Sequence, residues 1–305
     1  MRLYTIFDDF DPIAAQIIRG AGITLDIHPK GVARPDQATM KRILEEYDGV
    51  IIGTSQKIGE AMLDSIKSPK IIATASVGTD HIQIPKEKRD FFRIYNTPKA
   101  NAQAVAEYTF ATALSCLKRI EEGRRLYLLG KDNKSLSQKP VELFGKTLGV
   151  IGAGAISKRI MEFGQFFGMD IFCFTRHPEK HEDLQELGVK FSSLWEVAKQ
   201  SDVLSVNLPN VPETKGIVSK ELVSCMKSEG VFVSVSRLDT ISFPDLLEKS
   251  KQNRNFYTCL DVDGNEEVAR QSQGMENVIV TPHIAGGTRE TRIRMFRELA
   301  RQITS

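Results

Sequence analysis

Thr147-Leu-Gly-Val-Ile-Gly152-Ala-Gly154-Ala155-Ile156-Ser157 decides how the rest of the chain is read. Residues 148–151 form an apolar run of strand length, and residues 156–167 repeat apolar side chains at helical spacing. A buried strand that passes through Gly-x-Gly into a helix is a dinucleotide-binding turn. Gly152 permits the tight turn, and Gly154 lets the backbone approach a pyrophosphate. The helix start at Ala155 and Ile156 aims free N–H groups and a positive dipole end at the phosphates. Ser157 stands where a third glycine is usual and is small enough for close helix–strand packing.

A site of this kind usually places Asp or Glu about 20 residues further on, against the ribose hydroxyls. Here the second strand ends Phe174-Thr175-Arg176-His177-Pro178. Thr175 takes the place of the acid and Arg176 follows it. A carboxylate would repel a 2′-phosphate, whereas a guanidinium binds one bidentately. NADP is therefore expected over NAD.

Outward from this turn the chain reads as two β-α-β blocks. Strand-like runs at 3–7, 23–27, 49–53 and 70–74 alternate with helical segments such as 12–19. A second set follows at 148–151, 171–174, 203–206, 231–235, 257–260 and 278–280, with helical patterns separating the first five of them. Short buried strands alternating with helices predict an α/β fold of two doubly wound parallel sheets. A long helix is expected over 101–128, an exposed loop over 130–140, and a closing helix over 288–302 capped by Thr288. The 305 residues also suit two domains, since one core stops growing near roughly 250–300 residues.

Composition narrows the partners. Lys and Arg number 41 against 39 Asp and Glu, a net charge of +2, which lacks the basic bias of nucleic-acid binders. No apolar run approaches the roughly 20 residues of a bilayer span, so no membrane partner is expected. The opening MRLYTIFDDF carries acids where a secretory leader would be apolar. Cys116, Cys173, Cys225 and Cys259 are far apart without a CxxC, so neither a metal site nor a disulfide framework is expected. A reducing compartment, the cytoplasm, follows.

Several motifs, in order along the chain, resemble the D-isomer-specific 2-hydroxyacid dehydrogenases, the family of the D-lactate, D-glycerate and glyoxylate/hydroxypyruvate reductases. They are Ser76-Val77-Gly78-Thr79-Asp80, Asn96-Thr97-Pro98, Asn101 with Val105-Ala106-Glu107, the glycine turn, and Leu208-Pro209 with Thr214. Val235-Ser236-Arg237, Leu260-Asp261-Val262 and Thr281-Pro282-His283-Ile284-Ala285-Gly286 complete the set. The resemblance implies a flavodoxin-like substrate domain at 1–98 and 287–305. A Rossmann nucleotide domain at 99–286 would be inserted into it, with the active site in the cleft between them, and the protein would be a homodimer.

The resemblance also implies site roles. His283 matches the acid/base, and histidine is the side chain that titrates near neutrality. Glu266 matches its carboxylate partner, although Glu267 stands where proline is usual, and Glu267 remains the alternative. Arg237 matches the residue that binds the substrate carboxylate and polarises its carbonyl, with its planar fork suited to the task. Asp261 resembles the residue that holds the nicotinamide carboxamide. Leu208, Pro209, Thr214, Val235, Ser236 and Gly286 line up with cofactor contacts. Ser55, Val77 and Gly78 line up with substrate contacts, along with Arg237 and His283.

Departures are visible at Ser234, at Leu238 and at Asp263-Gly264-Asn265. The sole tryptophan is Trp195, outside the stretch where relatives carry one. Gly53 stands beside a position where phosphoglycerate dehydrogenases have arginine, which argues against a phosphorylated substrate. The implied function is hydride transfer between NAD(P)H and C2 of a small 2-oxo acid (glyoxylate, hydroxypyruvate or pyruvate). The rival from another class is a non-enzymatic, NAD(P)-responsive corepressor-like protein. Formate dehydrogenases are disfavoured, because they pair the histidine with glutamine.

Overall fold

The computed structural model describes residues 1–68 and 70–305. It divides into two compact units, Met1–Asn101 with Thr288–Ser305, and Ala102–Gly287. In the first, β1 (Arg2–Thr5), α1 (Pro12–Gly20), β2 (Thr24–Ile27), α2 (Gln37–Glu46), β3 (Gly49–Ile52), α3 (Glu60–Leu63), β4 (Lys70–Thr74) and β5 (Phe92–Tyr95) follow in order. The strands form a parallel sheet in the order β2-β1-β3-β4-β5, which is the flavodoxin-like order.

The second unit opens with α4 (Ala102–Leu117), α5 (Ile120–Leu128), β6 (Thr147–Ile151), α6 (Ala155–Phe166), β7 (Asp170–Phe174), α7 (Glu182–Glu186) and β8 (Lys190–Phe191). It continues through α8 (Leu194–Gln200), β9 (Val203–Val206), α9 (Lys220–Cys225), β10 (Gly230–Ser234), α10 (Phe243–Gln252), β11 (Phe256–Val262), α11 (Glu266–Ser272) and β12 (Val278–Pro282). These seven strands are parallel in the order β12-β11-β10-β9-β6-β7-β8. The order reverses between β6 and β9, the crevice in which doubly wound sheets bind dinucleotides.

Both faces of this sheet are covered, so its strands bury alternate residues in opposite layers. Phe232 joins one apolar layer with Leu222, Leu246 and Leu260, while Val231 and Val233 join the other with Phe110, Ile160 and Met161. The final helix, α12 (Arg289–Thr304), returns to the first unit, capped by the Thr288 hydroxyl. Its Phe296 lies 4.9 Å from the Phe7 ring and 4.6 Å from that of Phe10.

Three details differ from the sequence reading. The edge strands β5 and β8 went unread, because β5 is half exposed and β8 has two residues. A helix, α11, separates β11 from β12. The long helix expected over 101–128 is broken into α4 and α5 at Arg119, which adopts φ 57°. That buried guanidinium binds Ser137, Gln138, the Tyr257 hydroxyl and Asn255, and these bonds offset the left-handed backbone.

Asp11 fastens the start of α1 to α12. Its carboxylate accepts from Ala14 N at 2.9 Å and from Arg297 Nε at 2.9 Å. The Arg297 guanidinium holds the Asp11 carboxyl below its ordinary 3.8. Asp11→Ala should lower stability by about 1–2 kcal/mol, mostly through the lost cap, because the Arg297 end is partly solvated. Urea unfolding checks this. A lowered aspartate contributes fully above its ordinary pKa and loses that contribution as pH falls through the folded value. The gap between wild type and variant should therefore close below pH 3.8. A gap that persists at lower pH would refute the carboxylate as its origin.

Candidate active site

The glycine turn is built as a phosphate cradle. Gly152 has φ 106°, and a Cβ there would meet the carbonyl oxygen of Asn207 at 2.6 Å. Only glycine fits this crossing between the ends of β6 and β9. Gly154 precedes α6 without any side-chain cap, and a Cβ added to it would meet nothing within 4 Å. The first-turn amides at Ala155 and Ile156 stand at the positive end of a 12-residue helix. Ser157 is buried with its hydroxyl unpaired, one turn from the glycine end. These residues fit a dinucleotide pyrophosphate.

β7 runs beside β6, and Gly152 N donates to Phe174 O at 2.9 Å. Thr175 and Arg176 thus leave the sheet next to the cradle. Thr175 is half-buried and Arg176 is exposed. Among the described residues no carboxylate pairs with Arg176, so its charge is available to an anion.

The loops after β9 and β10 hold each other. Leu208 N donates to Ser236 Oγ at 2.8 Å, and that hydroxyl donates to Val206 O at 3.2 Å. Thr214 is buried, and its hydroxyl bonds the carbonyls of Pro209 and Val211. Thr214 and Ser236 therefore shape these loops with their side chains. Val235 is half-buried at the end of β10.

Asp261 organises the turn around His283. It is buried on β11, with Oδ1 accepting from Thr281 Oγ1 at 2.5 Å and Ile284 N at 2.8 Å. Oδ2 accepts from Ala285 N at 2.8 Å. Tyr108 on α4 adds a 2.6 Å bond between its hydroxyl and Thr281 Oγ1. Burial pushes the Tyr108 phenol up, so it stays protonated. Between these clamped residues His283 takes φ 54°, a left-handed conformation uncommon outside glycine. Gly286 follows, half-buried.

The His283 side chain meets two groups. Nδ1 lies 2.7 Å from Asp263 Oδ1 and 3.0 Å from Arg237 Nη1. Arg237 Nη1 also lies 3.3 Å from Asp263 Oδ2. The structure thus brings Arg237 and His283 together, but around Asp263. It does not bring Glu266, expected as the histidine's partner, or the alternative Glu267, to His283. Glu266 is exposed at the first position of α11 and makes no bond among the described residues, while Glu267 pairs with Arg270 and Gln271. Asn265 caps α11 through Val268 N, which turns both glutamates into the helix. With Nδ1–H donated to Asp263, the shorter contact, Nε2 is left without a protein partner among the described residues.

In the first unit, Ser55 and Val77 lie three residues beyond Ile52 and Thr74, which pair across β3 and β4. The turn at Ser76-Val77-Gly78 is pinned by Ser76 Oγ donating to Gly78 O at 2.7 Å and by Asn96 Nδ2 donating to Val77 O at 2.6 Å. Thr74 Oγ1 lies 2.9 Å from His81 Nε2 and steadies the same turn. Ser55 and Gly78 are exposed, and Val77 is half-buried.

Residues 110–285 match the model of the D-isomer specific 2-hydroxyacid dehydrogenase NAD binding domain. The chain belongs to the D-isomer-specific 2-hydroxyacid dehydrogenases. It is 32% identical over 269 residues to a hydroxypyruvate reductase of Thermotoga maritima, covering 87% of this chain and 86% of that one. It is 30% identical to a glyoxylate reductase of Aeropyrum pernix, over 86% of this chain and 80% of the relative. A D-lactate dehydrogenase of Aquifex aeolicus, solved with NAD and lactic acid, superposes with a TM-score of 0.76 at 28% identity, over 99% and 94% of the two chains. The chain is accordingly an NAD(P)-dependent oxidoreductase acting on 2-hydroxy acids. Among the described residues no helix is long and apolar enough to cross a membrane, and no His, Cys, Asp or Glu cluster could hold a metal ion.

Asp263 and Tyr108 were not read as site residues. The only signal was that Asp263 is a second acid two places beyond Asp261. Asp263→Asn should lower kcat by about tenfold or more, the loss of one charge-assisted bond, with a smaller change in KM, and Asp263→Glu should restore part of it. Glu266→Gln should change kcat less than twofold, roughly the surface-substitution range. Equal losses in the two neutral variants would contradict the assignment.

Proposed function

We propose that this enzyme reduces a small 2-oxo acid at C2 with NADPH preferred over NADH, using His283 as the acid and Arg237 as the substrate anchor. The observation that carries this reading is the Arg237–Asp263–His283 cluster beside a clamped turn. Bound NADPH supplies a hydride to C2. His283 Nε2 gives the carbonyl oxygen its proton, while Asp263 fixes the ring through Nδ1. Arg237 presents a planar fork to the carboxylate and draws charge onto the carbonyl oxygen. Asp261, beyond its clamping role, is proposed to orient the nicotinamide end, and Leu208, Pro209, Val235 and Gly286 to border the cofactor. Ser55 and the amides of Val77 and Gly78 are the first unit's proposed contacts with the acid, and the first unit is proposed as the substrate domain.

The preference for NADPH rests on Arg176, a guanidinium with no carboxylate partner beside the cradle, and on Thr175 where an acid would repel a 2′-phosphate. Steady-state assays of glyoxylate and hydroxypyruvate reduction test both parts. The kcat/KM ratio should favour NADPH, and Arg176→Ala should shrink that ratio. His283→Asn and Arg237→Ala should each lower kcat/KM by about 10²–10⁴-fold, the usual worth of a general acid or an oxyanion contact. A preference for NADH would sink the cofactor assignment, and undiminished rates would remove those residues from the mechanism. The corepressor alternative gains nothing from the relatives above, which are named as enzymes.

A homodimer is the proposed assembly. The second unit exposes Tyr127, Leu128 and Leu129 at the end of α5, together with Phe144 and Phe166, all at 64% or more. Exposed apolar side chains that gather into one patch mark a partner surface, and the consecutive Tyr127, Leu128 and Leu129 are proposed as its centre. Light scattering should give twice the chain mass, and a monomer would contradict it. The cytoplasm is the proposed location, a reducing compartment suited to Cys116 and Cys259, whose thiol sulfurs lie 3.6 Å apart.

A further inference from the structure

We propose that Arg34 and Ser55 form a subsite for a second carboxylate, so that the preferred substrate is a 2-oxo diacid. The proposal rests on the reading above, in which Ser55, Val77 and Gly78 border the 2-oxo acid.

The first unit's strand order reverses between β1 and β3, and ligands of doubly wound sheets bind at the carboxyl ends of the strands flanking such a point. Phe7 lies two residues past the end of β1, and the 53–56 turn follows β3 directly. Arg34 comes from the loop after β2, at the same ends, and its Nη1 donates to Ser55 Oγ at 3.2 Å. Its guanidinium carbon stands 5.7 Å from the Phe7 ring centre. The loop thus carries a cation to the tip of the turn whose neighbour, one strand over, is Val77.

Position 53 could not supply that cation. A Cβ on Gly53 would meet Phe7 Cζ at 3.1 Å, so a long side chain there requires the ring to move. The remaining guanidinium groups on this rim are neutralised: Arg292 pairs with Asp9 and Arg297 with Asp11. Asp36, on the Arg34 loop, caps α2 through Thr39 N. Among the described residues no carboxylate pairs with Arg34, which leaves its guanidinium charge uncompensated beside Ser55.

One planar guanidinium with a hydroxyl beside it matches one carboxylate, which it can bind through two parallel N–H bonds. The residue is therefore a specificity determinant for the group attached to C3, and it takes no part in the proton or hydride steps.

The test uses the full chain with NADPH and four acids: glyoxylate, with no tail; pyruvate, with a methyl; oxaloacetate, with a carboxylate; and 3-phosphohydroxypyruvate, with a phosphate. Wild type should favour oxaloacetate over pyruvate in kcat/KM. Arg34→Gln should lower that ratio about tenfold or more, as expected for a lost bond to a charged group, and Arg34→Lys should keep most of it. A wild-type preference for pyruvate, or a ratio unmoved by Arg34→Gln, would overturn the subsite. An Arg34-dependent preference for the phosphate acid would overturn the diacid assignment. If none of the four is turned over, the proposed function itself fails. The same ratio is then read from the Kd values of oxaloacetate and pyruvate, with the same result required.

Discussion

The site depends on one buried carboxylate. Asp261 is taken out of water at the end of β11, and an ion in that position is costly unless every lone pair finds a donor. Thr281, Ile284 and Ala285 supply those donors, and the chain after β12 has to curl around the acid to do so. His283 sits inside that curl in a left-handed conformation that its own contacts would not impose. Its side chain is partly exposed, so the precision of its placement comes from the backbone beneath it. Asp263, two residues along the same strand end and thus on the same side, then meets the ring. A single strand terminus supplies both the clamp and the orienting partner.

The two sheets solve a similar problem in similar ways. Each reverses its strand order once, and each carries candidate site residues on loops at the carboxyl ends of its strands. In the second unit the reversal brings Gly152 against Asn207 so closely that no side chain fits. In the first it leaves the rim on which Phe7, Gly53, Ser55 and Arg34 meet. Interior strands buried on both faces make these ends rigid, which keeps the loops they carry in register.

Much of this was legible in the sequence, for identifiable reasons. Buried parallel strands read as continuous apolar runs, so β3, β4, β6, β7, β9 and β10 stood out. The glycine turn stood out because its φ requirement excludes other residues. β5 did not, because an edge strand with exposed Arg93 and Ile94 lacks that signature. The break at Arg119 was invisible, since its anchors Tyr257 and Asn255 lie more than 130 positions away. The acid beside the histidine was hidden for a related reason. Glu266 sits at the matching place in the motif, but the cap at Asn265 draws it into α11. The contact between Asp263 and His283 joins residues 20 apart that only the β11–β12 pairing brings together. Arg34 carried no signal at all, being one arginine in a polar loop until Ser55 was seen beside it.

In the proposed reaction His283 protonates the carbonyl oxygen while the carbonyl carbon receives hydride on one face. The most direct measurement is the handedness and stoichiometry of the product formed from hydroxypyruvate and NADPH by the full chain. The account predicts D-glycerate alone, one molecule for each NADPH oxidised. L-glycerate, a racemic product, or NADPH oxidation uncoupled from glycerate formation would contradict it.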